Sequence, residues 1–485
     1  MTQRYGSFAI AFGSGFAVLT IEIAGARLIA PVFGLSVVPW TAVIGVILAA
    51  LAVGSHLGGR MADVGRIPLS RVLVVAGLTG ILPIIGEGLP WVARDLLGFI
   101  PGAVASALVL FAPSVLCLGM VVPYLVQADT ESLDAVGRRA GDLSAAATAG
   151  SILGSFLTGF VLLPAMPLTV LLGVTSGSLV LMSLYTAHLL GSSEKPTLLL
   201  AALVMPVLGA MMGGSPPDTL FAEQTLYSSV VVTERPWGDG QIVRELLQNG
   251  GSSSAEYDDG TPAHVYAQAS LSLLDAAALY PDRALVLGGA ALTLPVALRR
   301  RDHRLKVDVI EIDPAVTELA STYFAYGEAS EGIRVVHEDA RVFLRRSEGR
   351  YGLVYLDVFD HLLTVPWTMV TSEALQAMSA ELSPDGVFMA NVLSPLEGPG
   401  TEFLSRFRAT LDEAFVDVRL YLTDEELDPG ATQNLIVVAS NDLTVLPELD
   451  WGQTTIKSGG RPLTDAWAPV EYLQAKVFAQ GLRWR

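Results

Sequence analysis

Ala284-Leu-Val-Leu-Gly-Gly-Ala-Ala291 is an apolar run that breaks into two glycines, and Val307-Asp-Val-Ile-Glu-Ile-Asp-Pro314 is a second run ending in acids. The first reads as a buried strand whose Gly288 and Gly289 let the backbone turn tightly and approach a ligand. Pro295 suits the first turn of a following helix. Glu311 stands at the end of the next strand, roughly twenty residues beyond the glycines, where a carboxylate accepts ribose hydroxyls. Two glycines alone say little; the acid at that distance says more.

Working outward, further strand patterns fall at 333–337, 353–357, 386–391, 417–422 and 435–439, with helical stretches between most of them. That alternation predicts a doubly wound, mainly parallel sheet of seven strands, with ligands at the carboxyl ends. Two more strand ends carry acids. Asp339, followed by Ala340, either caps a helix or accepts from an adenine amino group. Asp357 and Asp360 follow a buried strand three residues apart, either as a solvated turn or as a functional pair in the crevice. Trp367, next to Pro366, either lids that crevice or packs. Upstream, 226–234 and 242–248 read as strands around the Gly238-Asp-Gly240 turn, and 264–280 reads as a helix. The expected domains are 1–214 (transmembrane helices), 215–225 (linker), 226–262 (a small β-subdomain) and 263–485 (the α/β domain).

Of 485 residues, 51% are hydrophobic and 16% charged, with a mean hydropathy of +0.50. The two parts differ. Residues 1–215 hold nine basic and nine acidic side chains, so the remaining 21 and 39 put the whole formal charge of −18 in the rest. Nucleic acid is disfavoured as a partner, because phosphate neutralisation needs clustered Lys and Arg; a small cation suits the acidic part. A single cysteine, Cys117, excludes an intrachain disulfide and a cysteine-rich zinc site. The six histidines show no paired ligand spacing, and no metal is expected.

Seven apolar stretches of spanning length read at 8–30, 37–57, 70–91, 102–127, 144–164, 167–190 and 197–214, a multi-pass α-helical domain in a lipid bilayer. Gly150-Ser-Ile-Leu-Gly154 has the small-residue spacing that lets helix backbones approach. Glu22 and Arg27 lie in the first span, as a pair or as substrate contacts. Basic loops put the amino terminus in the cytoplasm, and an odd span count then puts the acidic domain outside. A cytosolic metabolite as substrate argues instead for a cytoplasmic domain on a cell-membrane anchor, with one span miscounted or re-entrant.

In its order of elements the acidic part resembles the spermidine synthase, or polyamine aminopropyltransferase, family, a branch of the class I S-adenosylmethionine methyltransferase fold. The whole chain looks like the membrane-integrated members. The likeness rests on Glu223-Gln-Thr-Leu-Tyr-Ser-Ser, the glycine turn, Glu-Ile-Asp, Glu338-Asp-Ala, Asp357-x-x-Asp360 and Val365-Pro-Trp-Thr-Met-Val-Thr-Ser-Glu, with Glu22-Ile-Ala-Gly-Ala-Arg27 and Gly58-Gly-Arg-Met-Ala-Asp63 in the apolar part. It implies transfer of an aminopropyl group from decarboxylated S-adenosylmethionine to a di- or polyamine, without a metal. Asp357 would be the general base and Asp360 would hold a distal ammonium, with His264, Tyr266 and Trp367 lining the amine pocket. Gly288, Gly289, Glu311, Asp339 and Ala340 would hold the nucleoside. Homodimers are common in the family. Two departures stand out: the family's glycine-loop aspartate is replaced within Ala290-Ala-Leu292, and its Tyr-His-Glu run has no clean match in 258–266. The alternatives are an S-adenosylmethionine-dependent methyltransferase or lyase, and a membrane transporter or sensor with a nucleoside-binding domain.

Overall fold

A computed structural model describes residues 2–34, 37–65, 67–129, 135–190, 197–212, 218–237, 240–347, 349–359, 364–398, 400–424, 426–449 and 452–478. The chain divides into two compact units, Met1–Ser215 and Pro216–Arg485.

The first unit is helical. Among the described residues five helices are long and apolar enough to cross a membrane: Arg4–Phe33, Val37–Val64, Ala112–Asp129, Val136–Ala165 and Leu168–Leu190. A sixth arises if Leu69–Ile85 and Leu89–Leu97, bent by 72°, count as one span. Among the described residues five or six helices meet this measure, against the seven spans expected. The helix Thr197–Met212 has only 16 residues, and roughly 20 are needed to cross the hydrocarbon core. Small residues set the packing, as the Gly150 and Gly154 spacing predicts. A methyl on Gly150 would lie 1.9 Å from the Phe12 carbonyl oxygen, and one on Gly154 would lie 2.6 Å from that of Phe16. Glu22 and Arg27 are both partly buried within Arg4–Phe33.

The second unit opens with a four-stranded antiparallel sheet in the order β1 (Thr219–Gln224), β2 (Ser229–Pro236), β3 (Ile242–Gln248) and β4 (Gly251–Tyr257). β1 lies within the segment expected to be a linker, so the β-subdomain begins earlier than its β-branched run suggested. Gly238 and Asp239 of the expected turn lie outside the described residues; Gly240 has a φ of +84°.

The second sheet contains β5 (Arg283–Leu287), β6 (Lys306–Glu311), β7 (Ile333–His337), β8 (Tyr351–Leu356), β9 (Leu382–Ser394), β10 (Asp417–Leu422), β11 (Gln433–Ser440) and β12 (Gln453–Thr454). Their order is β12-β10-β11-β9-β8-β5-β6-β7. All seven expected strands are present, and two-residue β12 adds an eighth at the edge. The sheet is mixed: β9-β8-β5-β6-β7 is parallel, while β11 runs against β9 and β10, and β12 against β10. The run to β10 and β11 is a hairpin rather than a crossover, which the strand patterns could not reveal.

Both faces of this sheet are covered, so its central strands are apolar throughout. The helix Val265–Ala276 closes one face over Val286, Tyr355, Met389, Ile436 and Val438. Helices Ser372–Ala380 and Thr401–Ala414 close the other over Leu356, Ala390, Leu435 and Val437. The crevice lies between β5 and its neighbour β8, where the strand order reverses.

Candidate functional site

The turn after β5 is built by close approach. Gly288 has a φ of +91°, and a methyl there would lie 2.3 Å from the backbone oxygen of Asp357. No residue larger than glycine fits, since both the backbone conformation and the space forbid a side chain. Next in the loop, Ala290 and Leu292 hold φ values of +44° and +60° without being glycine.

Glu311, at the end of β6, organises this loop. Its Oε2 accepts from the N–H groups of Gly289 and Ala290 at 3.0 Å each, and its Oε1 accepts from Asp313 at 2.9 Å. Burial raises its pKa, while those three N–H groups oppose the rise. A carboxylate has about four acceptor positions, so some capacity is left for a hydroxyl. Asp313 in turn starts the helix Pro314–Tyr323, accepting from Ala315 at 3.1 Å and from the Thr225 hydroxyl at 2.6 Å.

Ala291 sits among apolar side chains. It is fully buried in an apolar cluster with Val230 of β2, Leu246 of β3 and Val316, and its N–H donates to Ser254 Oγ at 3.1 Å. The β-subdomain thus roofs the loop where the family aspartate would stand.

Asp357 follows β8. Its Oδ2 accepts from the Tyr266 hydroxyl at 2.8 Å and its Oδ1 from Asn391 Nδ2 at 3.3 Å. Burial pushes its pKa up to about 6, against the pull of both donors. Burial also holds the Tyr266 phenol well above its ordinary value, and the Asp357 charge adds to this. His264 precedes the helix Val265–Ala276; its Nε2 lies 2.9 Å from Ser252 Oγ and its ring 5.5 Å from that of Tyr266. Burial pushes the imidazole down to about 4, so it is neutral at physiological pH. His264 stands at the start of that helix and Tyr266 in its first turn.

The structure therefore brings His264, Tyr266, Asp357 and Gly288 together, and separately Glu311, Gly289 and Ala290. Asp339 caps the helix Ala340–Leu344 through a 2.9 Å bond from Val342 N–H, at the end of β7. The capping reading holds, and the exposed carboxylate keeps an oxygen free of that bond. Trp367 sits in a single turn, Trp367–Met369, and is 38% exposed. Asp360 lies outside the described residues. No group of three or more His, Cys, Asp or Glu side chains arranged to hold a metal occurs among the described residues.

Sequence reading missed the polar side chains inside the strands and the helix packed on them. Asn391, in β9, is 4% exposed and accepts from Asn434 of β11 at 2.8 Å. Ser270 and Tyr355 share a buried 2.7 Å bond below Tyr266. The available signal was an amide within Val387-Phe-Met-Ala-Asn-Val-Leu393, since a buried amide must find partners.

Residues 271–423 match the family model described as "Spermine/spermidine synthase domain". A polyamine aminopropyltransferase of Vibrio vulnificus is 31% identical over 210 residues, covering 42% of this chain and 68% of that one. A probable polyamine aminopropyl transferase of Bifidobacterium longum is 28% identical over 120 residues, 25% of this chain and 26% of that one. Polyamine aminopropyltransferase 2 of Aquifex aeolicus is 21% identical over 393 residues, 78% of this chain and 77% of that one. That match is longer than either compact unit. Among solved structures, a spermidine synthase from Thermotoga maritima aligns with a TM-score of 0.38 and 18% identity, over 54% of this chain and 84% of that one.

Proposed function

The chain belongs to the polyamine aminopropyltransferase family, and on that premise we propose that it moves an aminopropyl group from decarboxylated S-adenosylmethionine to a di- or polyamine, releasing methylthioadenosine. The observation that carries the reading is Asp357, a partly buried carboxylate held by Tyr266 and Asn391 against the Gly288 turn.

An amine in water is an ammonium with a pKa near 10, and its nitrogen attacks only after losing a proton. Raising the acceptor carboxylate from 3.8 to about 6 brings that transfer closer to balance by about 3 kcal/mol. The freed lone pair forms the new C–N bond in line, the C–S bond breaks, and the sulfonium leaves as a neutral thioether. Asp357 takes the proton. Tyr266, His264, Trp367 and Asp360 surround the amine in this reading, Asp360 anchoring its far charge. Glu311 takes the ribose, Asp339 and Ala340 the adenine, and Gly288 and Gly289 let the backbone reach the nucleoside.

A second reading rests on Ala291. With an apolar, buried alanine there, the glycine loop offers no carboxylate to the ammonium of the donor arm, which favours intact S-adenosylmethionine and methyl transfer or a lyase reaction. Product mass spectrometry with both donors and a panel of amines separates the two. Methylthioadenosine together with an amine heavier by one aminopropyl unit supports the first reading; turnover of intact S-adenosylmethionine alone supports the second.

The first unit serves, in this reading, as a multi-pass anchor in the cell membrane. If the bent pair is one span, the count is six and even. The basic loops that place the amino terminus in the cytoplasm then bring residue 190 back to that side, and the acidic unit with it. That removes the conflict that seven spans created.

A further inference from the structure

Asp357 follows Leu356, and Asn391 follows Ala390, its partner on β9, so the two residues stand side by side at the carboxyl end of β8. Asn391 itself pairs with Ile436 of β11, and Asn434 stands two positions along that strand. Diagonal neighbours at this spacing reach each other with long polar side chains. The result is a chain of three groups: Asn434 Nδ2 donates to Asn391 Oδ1 at 2.8 Å, and Asn391 Nδ2 donates to Asp357 Oδ1 at 3.3 Å.

The direction of this chain matters. A carboxylate only accepts, whereas a carboxylic acid also donates. An amide free to rotate would present its N–H groups to the first and its oxygen to the second, and so would serve both protonation states. Asn434 restrains that freedom, because its donor holds the Asn391 oxygen away from Asp357, and Asn391 can invert without losing this partner only if Asn434 inverts with it. Asn391 is buried, so an inverted amide would set two donors against each other with little water to relieve them.

Resting on the reading of Asp357 as general base, we propose that Asn434 is a positioning residue: by donating to Asn391 it locks that amide with its N–H toward Asp357, and so favours the carboxylate over the acid. Among the described residues, the titratable groups that act on Asp357 are the phenols of Tyr266, from the helix Val265–Ala276, and Tyr355, from its own strand. β5 presents the backbone turn at Gly288 and β9 presents Asn391, neither of which titrates. His264, ring to ring with Tyr266, stays neutral across the range concerned. The lock therefore acts on one carboxyl.

The test compares pH profiles of kcat/KM for aminopropyl transfer in the full chain. In Asn434→Leu the acidic limb moves up by about half a pH unit, which makes the variant about threefold slower below the limb, while affinity for methylthioadenosine is kept. Asn434→Gln, which retains a donor, moves the limb back. An unshifted limb with a lower plateau overturns the proposal and leaves Asn434 a packing residue. Should Asn434→Leu lose methylthioadenosine binding, Asn434→Ala, which also lacks a donor, carries the same comparison. A wild type that makes no aminopropylated amine defeats the transfer reading, not this one. An infrared titration of the Asp357 carboxyl band, identified by its loss in Asp357→Asn, then reads the shift without turnover. Equal midpoints in the wild type and Asn434→Leu overturn the lock whatever the reaction.

Discussion

The hydroxyl of Tyr266 donates a 2.8 Å hydrogen bond to Asp357 across 91 residues of sequence. It ties the first turn of the helix Val265–Ala276 to the end of central strand β8. The helix covers the sheet face on which Asn391 and Asn434 also lie, so the Asp357 carboxylate is supported from a helix and two strands at once. The expected consequences can each be measured.

Asp357→Asn removes the proton acceptor but keeps the size and most of the hydrogen bonding. General-base groups contribute about 10²–10⁴-fold, so kcat is expected to fall by that order while methylthioadenosine affinity changes little. Turnover near the wild-type rate would remove Asp357 from the chemistry.

Tyr266→Phe removes a donor to the carboxylate form and so favours the acid. Burial pushes the wild-type carboxyl up to about 6, so activity is expected above that pH and lost as the pH falls through it. In the variant this acidic limb moves to higher pH, by roughly half a unit to one unit for one hydrogen bond. A limb displaced downward would contradict the assigned donor.

Gly288→Ala meets two obstacles, a φ of +91° and the Asp357 carbonyl oxygen at 2.3 Å. Strain of about 1–3 kcal/mol is expected from the backbone alone, with a further loss from moving the base. Both the thermal midpoint and kcat should fall; a neutral outcome would show that the turn is free to open.

Glu256, in β4, is 2% exposed and accepts from Ala325 N–H at 2.7 Å. Burial pushes its carboxyl up to about 7, against a backbone bond and two arginines that pull it down. A folded-state pKa above the unfolded one means stability is fully present below pH 4.5 and declines as the pH rises through 7. Glu256→Gln, which keeps an acceptor for Ala325, is therefore expected to match the wild type near pH 5 and to exceed it by about 1–3 kcal/mol at pH 8. Melting curves at the two pH values decide it.

The parallel core was legible because buried strands are unbroken apolar runs and because the glycines and Glu311 stand where the crevice must open. Tyr266 was legible only through the family likeness, since a tyrosine in a helix has no spacing relation to an aspartate 91 residues on. β1 hid in Thr219-Leu-Phe-Ala-Glu-Gln224, a short polar edge strand after Pro216 and Pro217. Asn391 and Asn434 hid for a different reason. Their meeting depends on the register of β9 against β11, and register is a pairing property that neither segment carries alone. The 72° break between Leu69–Ile85 and Leu89–Leu97, inside one apolar run, was not legible, and Thr197–Met212 is apolar enough to read as a span although it holds 16 residues.

The seat of Ala291 under Val230, Val232 and Leu246, with its N–H on Ser254, ties the glycine loop to the small antiparallel sheet. In terms of amide hydrogen exchange, the loop cannot open without lifting β2 and β3, so the two share one protecting event. A nucleoside held by the loop would slow exchange in Ser229–Pro236 and Ile242–Gln248, the strands packed on the loop through Val230, Val232 and Leu246.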